Sequence, residues 1–338
     1  MITRRLEDML MSGSTPHVVV FGLGGTISMS SATGAGAVPA LSAAELVAAV
    51  PGLAAAGIDI EVVEFRRVPG ASVSFEDVDA LAEAIEERLA GGATGVVVVQ
   101  GTDTIEETAY LLDLGHTRPE PVVVTGAMRN AAQAGADGPA NLLAAIQTAA
   151  TASGHGVLVV LADEIHAAAR VRKTHSTSGH TFVSADGGPL GYVVEGQPRF
   201  LNGQTGRKTV VGALGKAVDV GLVTMTLGDS GTSLRAAHEF DGLVIAGFGA
   251  GHVPVGVVDR LTELAANMPV VLASRTGAGS VLSRTYGFPG SESDLLNRGL
   301  ISAHFLDPLK ARILLHRLLA TGHDIDRIRA TFGQNGWR

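Results

Sequence analysis

The chain contains no cysteine. Disulfides, thiol nucleophiles and cysteine-held metal ions are thereby excluded, and the composition fits a reducing compartment. Basic residues are scarce: 25 Lys and Arg stand against 33 Asp and Glu, for a net charge of −8. Nucleic-acid binders ordinarily show a basic excess, and no Lys/Arg stripe interleaved with aromatics occurs here. Long apolar runs are missing too, since no stretch reaches the roughly 20 residues of a spanning helix. The leading "MITRRLEDMLMSGSTPH" has Arg4 and Arg5, but Glu7 and Asp8 interrupt any signal-like apolar run. These absences predict a cytoplasmic protein with neither nucleic acid nor membrane as a partner.

What is present is a globular composition, 46% hydrophobic and 17% charged over 338 residues. At roughly 100–200 residues per domain, two domains are expected, and such a chain can bury its own cores. Short β-branched runs recur at 17–23, 58–65, 94–100, 121–126 and 156–162. Several are apolar on both faces, as strands covered on both sides must be. Helical patterns at 42–50, 74–90, 104–115 and 137–151 alternate with them. Ser74, three residues before Asp77, is close to a capping box, and Pro139 opens the last of these helices where proline is tolerated.

The Gly-rich stretch from about 180 to 215 predicts a hairpin or irregular structure. Alternation then resumes, with strands at 220–228, 240–251, 268–274 and 299–305 and helices at 255–267 and 308–320. The expected organisation is an N-terminal extension (1–16), an α/β domain (17–200) carrying the catalytic residues, a linker (201–219) and a second α/β domain (220–338). The alternation implies a mostly parallel sheet in the larger domain and a smaller parallel sheet in the other.

Ligands of open parallel sheets bind beyond the carboxyl ends of the strands. The first strand delivers Gly22, Gly24, Gly25 and Thr26 there, the third Gly101, Thr102, Asp103 and Thr104, and the fourth residues 125–129. The fifth leads on to Lys173. "GLGGTI" fails the G-x-G-x-x-G dinucleotide fingerprint at Ile27, and no P-loop lysine follows. "GTDT" has two readings: Thr102 or Asp103 could cap the following helix near Ile105 and Glu106, or both could serve chemistry. Lys173 could equally be a solvated loop lysine. Taken together, two threonines, an aspartate and a lysine make a network able to deprotonate a hydroxyl nucleophile. Asp103 would orient the lysine or hold a substrate ammonium. The glycines let backbone N–H groups approach a developing oxyanion.

At this point the chain resembles the bacterial-type L-asparaginases and their glutaminase-asparaginase relatives. The resemblance rests on "GGTIS" (24–28), "VVQGTDTIEETAYLLDL" (98–114), "PVVVTGAMR" (121–129) with "ADGPANL" (136–142), and "VRKTHSTS" (171–178). It extends from about residue 17 to the end, where "DPLKARILL" (307–315) belongs to it as well. It implies a larger flavodoxin-like N-terminal α/β domain, a smaller C-terminal one, and hydrolysis of the side-chain amide of L-asparagine to L-aspartate and ammonia. Thr26 would be the nucleophile of an acyl-enzyme pathway, supported by Thr102, Asp103 and Lys173. Gly25, Ser72, Gly101 and Ala127 would contact the substrate, with backbone at Thr102 and Ala127 meeting the reacting amide. The resemblance further implies a homodimer or homotetramer, with no metal and no organic cofactor.

The sequence departs from the family in three places. The lid loop "MSSATGAGAVPA" (29–40) has no tyrosine. Ser72 in "VPGASVSF" stands in for a Ser-Gln pair, and no glutamine accompanies it. Where a neighbouring subunit usually lends an asparagine and a glutamate, this chain offers His252 and Tyr286, although a lone histidine is also often structural. The alternatives are a glutaminase, a hydrolase of another small amide, an ammonia-supplying subunit, or a non-catalytic binder of acidic amino acids.

Overall fold

The computed structural model describes residues 15–333, except positions 26, 28, 31–37, 40, 204 and 205. Thr26, most of the expected N-terminal extension and most of the lid loop lie outside the described residues. Two compact units, Met1–Gln204 and Thr205–Arg338, make up the chain.

In the first unit the elements run β1 (His17–Gly22), β2 (Met29–Ser30), β3 (Val38–Pro39), α1 (Ala43–Ala48), β4 (Asp59–Glu64) and α2 (Phe75–Ala90). They continue with β5 (Gly95–Val99), α3 (Ile105–Gly115), β6 (Val122–Thr125), α4 (Gly138–Thr151), β7 (Val157–Leu161) and β8 (Glu164–Ala167). The unit ends with β9 (Arg172–Lys173), β10 (Phe182–Val183), β11 (Gly191–Val194) and β12 (Gln197–Phe200). Eight strands form one sheet in the order β12-β11-β8-β7-β6-β5-β1-β4. Pairing is parallel from β4 across to β7, and antiparallel for β8, β11 and β12.

The valine runs explain this layout. Every residue of β5, β6 and β7 is buried, as expected for strands covered on both faces. Leu142, Ala145, Ile146 and Ala149 of α4 pack in one cluster with Val97, Val123 and Leu158 of the sheet. Helix α2 starts with a reciprocal Ser74–Asp77 capping box. The Gly-rich stretch after residue 180 contains the antiparallel hairpin of β11 and β12. An additional strand, β8, folds back on β7 through Ala162 and Asp163, both at positive φ (51° and 61°). The strands β2 and β3, at the two ends of the expected lid loop, form a short antiparallel ladder.

The second unit contains β13 (Val220–Thr224), β14 (Gly242–Gly247), α5 (Val258–Asn267), β15 (Val270–Ser274), α6 (Glu292–Asn297), β16 (Ile301–Ser302), α7 (Pro308–Ala320) and α8 (Ile325–Gly333). Its sheet is parallel throughout, in the order β13-β14-β15-β16. Its core joins Leu243, Ile245 and Leu272 of the sheet to Leu261, Leu264 and Leu295 of the helices. No described helix is long and apolar enough to cross a membrane.

Candidate active site

The strand order puts β1, β5 and β6 side by side, so their carboxyl ends open onto one region. There the chain is built from glycines in contact. Gly24 and Gly25 have φ of 95° and 92°, in the left-handed region that L side chains avoid. A Cβ on Gly25 would lie 2.1 Å from the backbone nitrogen of Gly101. One on Gly101 would lie 2.9 Å from that of Gly70. Three backbones thus stack directly, which brings the first motif against "GTDT". Gly70 opens the 3-10 turn Gly70–Ser72, which ends at the exposed Ser72.

Beyond β5 the chain makes a 3-10 turn, Thr102–Thr104, that runs straight into α3. Neither the turn nor the helix receives a side-chain cap, so Thr102 and Asp103 are not serving as caps. Lys173 Nζ instead donates to Thr102 Oγ1 at 3.0 Å and to Asp103 Oδ1 at 2.8 Å. The Thr102 side is buried, whereas the Asp103 side chain is 63% exposed. Asp103 therefore has carboxylate surface open to an incoming group. Thr104 Oγ1 donates to the Gly70 carbonyl at 2.8 Å and accepts from Gln100 Nε2 at 3.2 Å. This ties the two short turns together.

Lys173 reaches the site from the two-residue strand β9, which pairs with β10. Its backbone N–H donates to the buried carboxylate of Glu106 at 3.1 Å. Glu106 sits in the first turn of α3 and had no chemical signal in the sequence, where it read as a helix-start acid. Ala127, beyond β6, is fully buried. A Cβ on Gly126 would lie 3.3 Å from Thr102 Cγ2, and one on Gly138 would lie 2.9 Å from Ile27 Cγ1 and 3.5 Å from Ala127 Cβ. Gly126 is thus adjacent to Thr102, and Ala127 and Ile27, the residue that follows Thr26, both lie against Gly138.

His252 and Tyr286 come together within the second unit, with ring centroids 4.9 Å apart in a T-shaped arrangement. His252 Nε2 lies 3.2 Å from Oε2 of Glu292, a fully buried carboxylate. The other Glu292 oxygen accepts the N–H groups of Thr285 and Tyr286 at 3.0 and 2.9 Å. Burial pushes this carboxyl up, but the hydrogen bonds from Tyr286, Glu292, Thr285 and His252 carry it below the ordinary range. Glu292, like Glu106, carried no signal in the sequence: Glu106 lies at the start of the expected helix 104–115, and the helix that Glu292 opens was not expected.

The family profile described as "Asparaginase, N-terminal" matches residues 17–205, and "Glutaminase/Asparaginase C-terminal domain" matches 219–332. The chain belongs to the asparaginase family. This asparaginase-family chain is 36% identical to the "Probable L-asparaginase" of Deinococcus radiodurans, over 96% of its own length and 99% of the relative's. It is 36% identical to "L-asparaginase 2" of Escherichia coli, over 71% and 70% of the two chains. Its structure resembles the crystal structure titled as a probable cytoplasmic L-asparaginase from Campylobacter jejuni, with a TM-score of 0.83 and 34% identity. That match covers 94% of this chain and 99% of the other.

Proposed function

We propose that this asparaginase-family enzyme hydrolyses the side-chain amide of L-asparagine through an acyl-enzyme on Thr26. The reading is carried by Lys173 Nζ, which is hydrogen-bonded at once to Thr102 and Asp103 from a strand about seventy residues away. Its support for Thr26 is that the chain neighbours Gly25 and Ile27 pack against Gly101 and Gly138.

The first step forms a bond from Thr26 Oγ to the amide carbon, with its proton passing to a base. The C–N bond then breaks, and ammonia leaves with a proton. In the second step a water passes one proton through Thr102 to Lys173 as its oxygen bonds to the ester carbon, and that proton goes on to Thr26 Oγ as the C–O bond breaks, releasing aspartate. Backbone N–H groups at the carboxyl ends of β1 and β5 face the developing oxyanion, a device worth about a hundredfold or more in rate. The exposed carboxylate of Asp103 meets the substrate's α-ammonium, Ser72 its α-carboxylate, and Gly25 and Gly101 line the floor.

The active assembly is proposed to be a homodimer or homotetramer in the cytoplasm, with His252 and Tyr286 lent by a neighbouring subunit. Tyr286 and Phe288, at 43% and 47% exposure, leave that aromatic cluster open to a partner. The test is ammonia release from L-asparagine and L-glutamine side by side. Release from asparagine that disappears in Thr26→Ala supports the reading. Equal release by wild type and Thr26→Ala overturns the nucleophile, and release from glutamine alone overturns the substrate.

A further inference from the structure

The motif "ADGPANL" (136–142) has no part in the chemistry described so far. Asp137 is the N-cap residue of α4, yet its side chain accepts none of the first-turn N–H groups of that helix. An aspartate in that position ordinarily bonds the first-turn N–H groups and so stabilises the helix. Here Asp137 turns to the segment after β6. Its Oδ2 accepts the N–H of Met128 at 3.0 Å, and its Oδ1 accepts the N–H of Arg129 at 2.9 Å.

The buried Asn141, one helical turn on, completes the arrangement. Its Nδ2 donates to the carbonyl of Gly126 at 2.9 Å and to Asp137 Oδ2 at 3.1 Å. Its Oδ1 accepts the N–H of Ala162 at 2.9 Å. The two side chains therefore grip the backbone on both sides of Ala127: the carbonyl before it and the two N–H groups after it. Ala127 itself is fully buried, and no described residue takes up its N–H or its C=O. Buried backbone groups nearly always have partners. Each of the two peptides that meet at Ala127 thus has one group held by a side chain and the other, among the described residues, without a partner, as a ligand contact there would require. Gly126 adds to the restraint, because a Cβ there would lie 2.5 Å from the Gln100 carbonyl oxygen.

We propose that Asp137 and Asn141 are positioning residues that hold the Ala127 peptide so that its carbonyl accepts an N–H of the scissile amide. This rests on the amidohydrolase reading above. Such a contact exists for an amide and not for an ester, because an ester has no N–H to donate. The clamp should therefore matter for L-asparagine and be dispensable for the β-methyl ester of L-aspartate, which passes through the same acyl-enzyme and releases methanol.

The experiment compares kcat/KM for the two substrates in wild type, Asp137→Ala, Asp137→Asn and Asn141→Leu. Both rates come from one preparation, so their ratio is independent of the folded fraction. The expected result is a fall in amide turnover of about tenfold to a hundredfold with ester turnover within about threefold, the scale of a misplaced reacting group. Asp137→Asn keeps one acceptor oxygen and should fall between wild type and Asp137→Ala. An unchanged amide-to-ester ratio in the variants, whatever the absolute loss, would show the clamp to be merely structural and overturn the proposal. A wild-type enzyme inactive on both substrates would instead overturn the amidohydrolase reading, and the positioning role with it.

Discussion

Replacing Lys173 by Met separates chemistry from stability. Lys173 Nζ makes two hydrogen bonds, at 3.0 and 2.8 Å, to Thr102 and Asp103. Its ion-pair partner Asp103 is 63% exposed, so solvent screens the pair. Pairs of this kind contribute about 0–1 kcal/mol. Methionine keeps most of the apolar stem, so the Tm of this unit should drop by no more than about 4 °C. Loss of a proton-transfer group, by contrast, costs about 10²–10⁴ in rate, or about 3–5 kcal/mol of barrier. The assay is steady-state ammonia release from L-asparagine, paired with thermal unfolding of the same samples. Lys173→Arg sharpens the result, because a guanidinium can pair with Asp103 but cannot give up its proton. It should be about as inactive as Lys173→Met. A Lys173→Met enzyme within about tenfold of wild-type kcat would refute the proton-transfer role, since that loss is below the range such groups supply. Substantial recovery in Lys173→Arg would refute it differently, showing that positive charge is sufficient.

Gly25→Ala places a methyl 2.1 Å from the Gly101 backbone at a φ of 92°. We expect activity to fall about a hundredfold or more from misplacement alone, and a variant with wild-type kcat would contradict the stacked-glycine account. Glu106→Gln keeps an acceptor for the Lys173 N–H, whereas Glu106→Ala does not, so kcat should survive in the first and fall in the second. Equal loss in both would mean that the negative charge is what counts. For His166, which is fully buried, burial and then the charge of nearby His180 hold the pKa down at about 4. Glu164 Oε2 lies 3.2 Å from its Nε2 but out of line for a hydrogen bond, so burial prevails. The unfolded chain takes up this proton below about pH 6.5 and the folded one does not, so stability falls between about 6.5 and 4 by up to about 3 kcal/mol. Denaturant melts across that range should show the slope, and His166→Asn should flatten it.

The central strands were legible because burial on both faces demands continuous β-branched runs, and helices packed on such strands show their own period. β8 was not legible. Its entry turn uses Ala162 and Asp163 at positive φ, where a hairpin signal would have been Asn-Gly or Asp-Gly. Asn141 bonds the N–H of Ala162 and Val193 donates to the carbonyl of Asp163. Partners far along the chain thus stabilise a turn that the local residues do not favour. The same applies to Glu106 and Glu292. A carboxylate in the first turn of a helix is ordinarily a solvated acid facing the helix dipole. Only the fold shows that one receives a backbone N–H from Lys173 and the other receives His252.

The ambiguity of "GTDT" has the same root. Capping a helix and holding a reacting group call for the same short polar residues at the same place, the end of a strand where a helix begins. What separates the two uses is direction. Ser42, Ser74, Ser291, Asp307 and Asp324 all bond the first turn of their own helices. The two helices that start beside the candidate site do otherwise. Thr104, at the start of α3, donates to Gly70, Asp103 next to it receives Lys173, and Asp137, at the start of α4, receives the backbone after Ala127. Each helix forgoes a cap worth about 1 kcal/mol. Stability alone gives no reason for that loss at these two helix starts and at none of the five Ser- or Asp-capped ones. The proposed site supplies one, because there the same side chains hold Lys173 and the backbone around Gly70 and Ala127.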